Sequence, residues 1–126
     1  MKSVFSLLFL ATGLFSGLEA ANVQNFNEAA FENAQKEGKL TAVKFHASWC
    51  GNCKAQSAAI EALTNEVPEL KNIQILHADF DNTKDLQKQM GVNGRTIIVL
   101  FKNGQEVDRI STKNKAKIKA QLLAAL

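Results

Sequence analysis

The chain has 126 residues and a mass of 13.8 kDa, enough for one hydrophobic core and too little for two of ordinary size. Hydrophobic residues make up 46% and charged residues 21%, which excludes a disordered tail, a coiled coil and a collagen-like repeat. A net charge of +3 spread along the chain makes no electrostatic case for nucleic acid, and two cysteines are too few for a disulfide-stapled miniprotein.

The amino terminus reads as an address. Met1-Lys2 supplies a positive start, and Val4 to Leu18 is apolar except for Ser6, Thr12, Gly13, Ser16 and Gly17. That is the pattern of a secretory signal peptide spanning residues 1–20, cut after Ala20. Leu18 is bulkier than the small residue usual at its place before such a cut. The other reading, an uncut membrane anchor, needs roughly 17–25 apolar residues, more than this run offers. The expected domains are therefore a signal peptide at 1–20 and a folded domain at 21–126. The expected location is periplasmic or secreted, where disulfides persist.

After a short edge strand near Val23, Asn27 caps a helix that carries Ala30, Phe31 and Ala34 at helical spacing and closes at Gly38. Leu40 to His46 is a mostly apolar, β-branched strand that feeds Ala47-Ser48-Trp49-Cys50. Cys50 and Cys53 open a helix whose pattern runs through Ala59, Ile60 and Leu63 to Val67, with Pro68 marking its end. Ile73 to Phe80 reads as a buried strand, Thr83 to Met90 as a short helix and Thr96 to Phe101 as a third strand. Asn103-Gly104 turns the chain into Gln105 to Ile110, a hairpin. From about Lys113 to Leu126 a last helix places Ile118, Leu122, Ala125 and Leu126 on one face, with Lys113, Lys115, Lys117 and Lys119 facing water. Alternating strands and helices predict an α/β domain: a central mixed sheet with parallel crossovers, helices on both faces and an antiparallel hairpin at one side.

Cys50-Gly51-Asn52-Cys53 carries the chemistry. A thiol is nucleophilic only as thiolate, and the unpaired N–H groups and dipole of a helix start lower a cysteine's pKa. Two intervening residues let the Cys53 sulfur attack a mixed disulfide formed at Cys50. A purely structural bridge closing so short a loop gains little unfolded-state entropy, which favours a redox role. Metal is the other chemistry considered: His46 and His77 join the cysteines as suitable atom types, but a second pair at ligand spacing is missing, so no metal and no dissociable cofactor are expected.

The segment Phe45-His46-Ala47-Ser48-Trp49-Cys50-Gly51-Asn52-Cys53-Lys54 resembles the active-site segment of the thioredoxin family. The resemblance extends to Gly91-Val92-Asn93-Gly94-Arg95-Thr96 and on through Ile97 to Gly104, similar to the family's loop and strand ending in Phe-Lys-Asn-Gly. It implies a thioredoxin-like three-layer sandwich, with Cys50 as the attacking cysteine, Cys53 as the resolving one and Trp49 flanking the substrate surface.

Three departures from the family pattern set the site-tuning and substrate-loop residues. Thr96, preceded by Arg95, stands where the family has a proline with a cis bond. A cis bond before a non-proline residue costs about 2.5–4 kcal/mol, so either a trans bond with an altered loop or a strained bond is expected, and the Thr96 hydroxyl can reach a sulfur. Lys44 replaces a buried acid: as ammonium it stabilises thiolate, as neutral amine it can act as a base, and as a snorkelling side chain it does neither. His77 falls where the family pairs a lysine with that acid, so Lys44 and His77 look like an exchanged pair that would titrate around pH 6–7. Gly51 and Asn52 lack the stiffening proline of the thioredoxin dipeptide. His46 is expected as a partly buried packing residue.

The leading expectation is an extracytoplasmic thiol–disulfide oxidoreductase acting on protein disulfides and thiols, a reductase before an oxidase, supplied by a membrane electron donor. The chain is expected to be a monomer. The alternative is a non-catalytic binding module that holds protein clients or a metal at the cysteine pair, a reading that the lost proline supports.

Overall fold

The computed structural model describes residues 23–126, so the expected signal peptide lies outside the described residues. The elements in chain order are β1 (Val23–Asn25), α1 (Glu28–Lys36), β2 (Thr41–His46), α2 (Gly51–Glu66), β3 (Gln74–Asp79), α3 (Lys84–Met90), β4 (Ile97–Lys102), β5 (Gln105–Ile110) and α4 (Lys115–Ala125). Single 3₁₀ turns at Pro68–Leu70 and Phe80–Asn82 follow α2 and β3.

Local chemistry sets these boundaries. Asn27 caps α1 by accepting from the Ala30 N–H at 2.8 Å, and Asn114 caps α4 by accepting from Lys117 N–H at 3.0 Å, each satisfying a donor the helix leaves free. Pro68 cannot prolong α2 and instead opens the 3₁₀ turn. Asn103 and Gly104 both take positive φ, 53° and 84°, the two-residue turn whose twist matches a hairpin.

The sheet runs β1-β3-β2-β4-β5. β2 pairs in parallel with β3 and antiparallel with β4, and β5 closes the hairpin on β4. Every residue of β2 except His46 is buried, as befits a central strand covered on both faces. One face packs Ala42, Ile75, Ile98 and Leu100 against Ile60 and Leu63 of α2 and Ile118 and Leu122 of α4. The other packs Val43, Phe45 and Val99 against Leu86 of α3, with Phe26, Phe31, Phe80 and Phe101 partly buried around them.

One sequence expectation needs correction and another gains detail. Leu126 does not join the apolar face of α4: it is 46% exposed, beyond the end of the helix. The lysines at the start of α4 do face water, yet two of them are tied to α2, Lys113 donating to Asn52 Oδ1 at 3.1 Å and Lys115 pairing with Glu66 at 2.9 Å.

Candidate active site

The site forms where the buried strand β2 gives out and α2 begins. Cys50 is the N-cap of α2, in extended backbone, and its sulfur accepts from the Cys53 N–H at 3.1 Å. Cys50 and Cys53 are joined as a disulfide with Cα atoms 5.2 Å apart. Cys50 keeps 5% of its surface exposed and Cys53 none. When the pair is reduced, the same N–H and the dipole of a 16-residue helix favour the thiolate of Cys50. Gly51 has nothing within 4 Å of where a Cβ would sit, so its small size is not a packing requirement.

Thr96 closes the site from the far side. Its hydroxyl lies 3.4 Å from Cys50 Sγ and 3.4 Å from Cys53 Sγ. The Arg95–Thr96 bond is trans, since no peptide bond among the described residues is cis, so the loop takes the altered course rather than a cis bond. Thr96 itself sits at φ 67°, a left-handed conformation that a β-branched residue adopts only when its surroundings impose it.

Gln56, unremarked in the sequence, supplies that constraint. It is fully buried, and its Nε2 donates to the carbonyls of Thr96 at 3.3 Å and Thr112 at 2.9 Å. A readable signal existed: Gln56 falls on the same helical stripe as Cys53, Ile60 and Leu63, where a polar residue needs a buried partner. A second clamp is Arg109 of β5, which donates to the carbonyls of Met90 and Gly91 at the end of α3 and pairs with Glu106. It steadies the entry to the loop carrying Thr96.

Trp49 is 57% exposed beside the disulfide. Its indole N–H donates to Asp81 Oδ2 at 2.9 Å, and the Arg95 guanidinium lies 4.7 Å over the ring centroid, an attractive stacking of cation on aromatic face. Arg95 and Trp49, from separate segments, thus form one rim. Asn52 faces outward and accepts from Lys113.

Lys44 is buried at 1% exposure. It pairs in register with His77 across β2 and β3, but its hydrogen-bond contact is with His46: Nζ lies 3.2 Å from Nδ1, which accepts from the ammonium in the Nε2–H tautomer. The His46 ring in turn stacks on His77 at 5.0 Å. Burial holds Lys44 down to about 8. His77 is pushed down to about 4, by burial first and then by the charges of Lys44 and His46. His46 is lowered as well, chiefly by burial and Lys44. The expected titration of the Lys44–His77 pair around pH 6–7 is therefore corrected: His77 falls well below that range and Lys44 lies above it. Among the described residues, no group of three or more His, Cys, Asp or Glu is arranged to hold a metal ion.

The family model named Thioredoxin matches residues 22–124. Thioredoxin-1 of Saccharomyces cerevisiae is 33% identical over 103 residues, covering 81% of this chain and 97% of its own. Thioredoxin H-type of Fagopyrum esculentum is 35% identical over 88 residues, covering 70% of this chain and 72% of its own. Among solved structures, Trxlp from Edwardsiella tarda superposes with a TM-score of 0.74 at 30% identity, covering 79% of this chain and 97% of that one.

Two outcomes are expected from this geometry. Lys44 holds its proton less tightly folded (about 8) than free (10.5), so stability is fully gained above pH 10.5 and lost as pH falls through 8, by at most about 3 kcal/mol. Urea unfolding across that window should show the rise in the native chain and its loss in Lys44→Met. Thr96→Gly should relieve the left-handed strain, raising stability by about 0.5–1 kcal/mol. It should also remove a donor from the sulfurs, so the Cys50 thiolate pKa, followed by ultraviolet absorbance, moves up.

Proposed function

The chain belongs to the thioredoxin family and is a thiol–disulfide oxidoreductase with a paired-cysteine centre, and from that premise we propose that it works outside the cytoplasm as a reductase of protein disulfides, with Cys50 attacking and Cys53 resolving. One observation carries the division of labour: of the two cysteines only Cys50 keeps exposed surface, at a helix start, with the Cys53 N–H and the Thr96 hydroxyl on its sulfur.

In the reducing direction the Cys50 thiolate attacks one sulfur of a client disulfide. A Cys50–client disulfide forms and the client's other sulfur leaves as thiolate. Cys53, as thiolate, then attacks Cys50 Sγ, closing the Cys50–Cys53 disulfide and releasing the client's second thiolate. Two electrons have passed to the client, and a dithiol donor must return them to the pair. Thr96 Oγ1, at equal distance from both sulfurs, can donate first to Cys50 and then, once Cys50 is bound in the mixed disulfide, to the Cys53 thiolate. Trp49 and Arg95 offer the client a flat, partly cationic rim. Membrane proximity of the donor and a monomeric working state complete the reading. Its extracytoplasmic part rests on the apolar run from Val4 to Leu18 and the small residues Ala20 and Ala21.

Turnover of insulin disulfides should fall by about a thousandfold or more in Cys50→Ser. Cys53→Ser should still attack and should accumulate the Cys50 mixed disulfide, detected by mass. A Cys50→Ser variant that keeps its turnover would overturn the assignment. Produced in a bacterium from its full reading frame, the chain should be recovered from the periplasm beginning at Ala21; recovery in the cytoplasm with residues 1–20 attached would overturn the proposed location.

A further inference from the structure

Between α2 and the β1–β3 side of the sheet lies a cavity of about 380 Å³, within the range of about 300–1,000 Å³ typical of small-molecule sites. Ile60, Ile73 and Ile75 give it an apolar wall, while Lys44, Ser57 and His77 give it a polar one. Glu61 and Lys71, both exposed, complete the lining from the surface.

Around Lys44 the polar wall is short of acceptors: the one carboxylate of the lining, Glu61, is exposed and makes no ion pair with Lys44. Among the described residues, Lys44 makes no ion pair with a carboxylate, and its one hydrogen-bond contact is His46 Nδ1. An ammonium has three hydrogens to donate, and beyond His46 the described residues show no acceptor for the other two. Ser57 Oγ, also on this wall, is buried and has no hydrogen-bond partner among the described residues. Buried polar groups as a rule find partners, and a buried cation without a counter-charge is costly. Neutral His77 brings no negative charge to offset it.

One kind of ligand answers both walls. A carboxylate accepts from the Lys44 ammonium and the Ser57 hydroxyl together, and an apolar body behind it covers the isoleucines. Water satisfies the polar end but leaves the apolar wall wet, and a strongly hydrated inorganic anion does the same. We propose that this cavity binds a small organic monocarboxylate with an apolar body, of the size of a medium-chain fatty acid, its carboxylate on Lys44 and Ser57. The proposal is independent of the redox reading. Burial holds the Lys44 pKa down at present, a penalty that a bound anion offsets. Ser57 lies four residues after Cys53 on the same face of α2, so the carboxylate would sit one helical turn from the buried sulfur.

The test is titration of the oxidised full-length chain with hexanoate, followed in backbone amide spectra, with hexan-1-ol as the uncharged comparison. Saturable shifts at Ser57, Ile60, Ile75 and His77 are expected, with hexanoate about tenfold or more tighter than hexan-1-ol. In Lys44→Met that preference should vanish, and in Ile75→Phe, where a ring fills the cavity, neither probe should bind. The absence of saturable shifts at these residues would overturn the proposal. So would equal affinity for the two probes, a preference that survives in Lys44→Met, or residues 1–22 found seated in the cavity. If Lys44→Met does not fold, the probe comparison in the native chain together with Ile75→Phe decides.

Discussion

The amide of Gln56 holds together the parts of this site that the chain itself leaves far apart. From one buried position on α2 it reaches the backbone of Thr96, 40 residues away, and of Thr112, 56 residues away. Without that tether a threonine has little reason to stay in left-handed backbone, and without that backbone its hydroxyl would not stand against both sulfurs. Gln56 Oε1, on the other side of the same amide, has no hydrogen-bond partner among the described residues. The amide thus commits its donor end to the two loops and leaves its acceptor end unsatisfied, at a desolvation cost of about 1–3 kcal/mol. A fold that tolerates such a cost has its gain in the position of the loop.

The second constraint is a positive charge under the sheet. A lysine on a central strand, buried among isoleucines, opposes folding, and the surrounding residues do little to relieve it: two histidines whose own protonation burial and the lysine disfavour, and, among the described residues, no carboxylate within ion-pair distance. The apolar packing of α2 and α4 on one face and of the phenylalanine cluster on the other carries this load. The consequence is that both histidines beside it are disfavoured as cations by one amine whose own proton is loosely held.

Much of the fold was legible because its signals are local. The β-branched run before the cysteines, the proline after α2, the capping asparagines and the Asn103-Gly104 turn each act on their own neighbours, and each element appears within a residue or two of where the pattern places it. The disulfide pair and the Trp49 rim were legible through the motif. What could not be read were contacts across distance. Gln56 looks like an ordinary helix residue until its two carbonyl partners are brought to it by the fold. Arg109 looks like a solvated charge on an edge strand until α3 ends beside it. His77 illustrates a different failure: its residue type suggested titration near neutrality, and only its burial beside Lys44 moves it out of that range.

The uneven exposure of the two sulfurs bears on how the protein withstands peroxide. Oxidation of a cysteine to sulfenic acid is reversible, but the next oxygen makes a sulfinic acid that ordinary thiols do not repair. Here only Cys50 meets solvent, while Cys53 has no exposed surface at all. A sulfenic acid formed on Cys50 has the Cys53 thiol as its immediate neighbour, and condensation of the two expels water and yields the disulfide. The first oxidative lesion is thereby converted into an ordinary state of the working cycle before a second can follow, and the sulfur that carries out the repair is the one that the oxidant cannot reach.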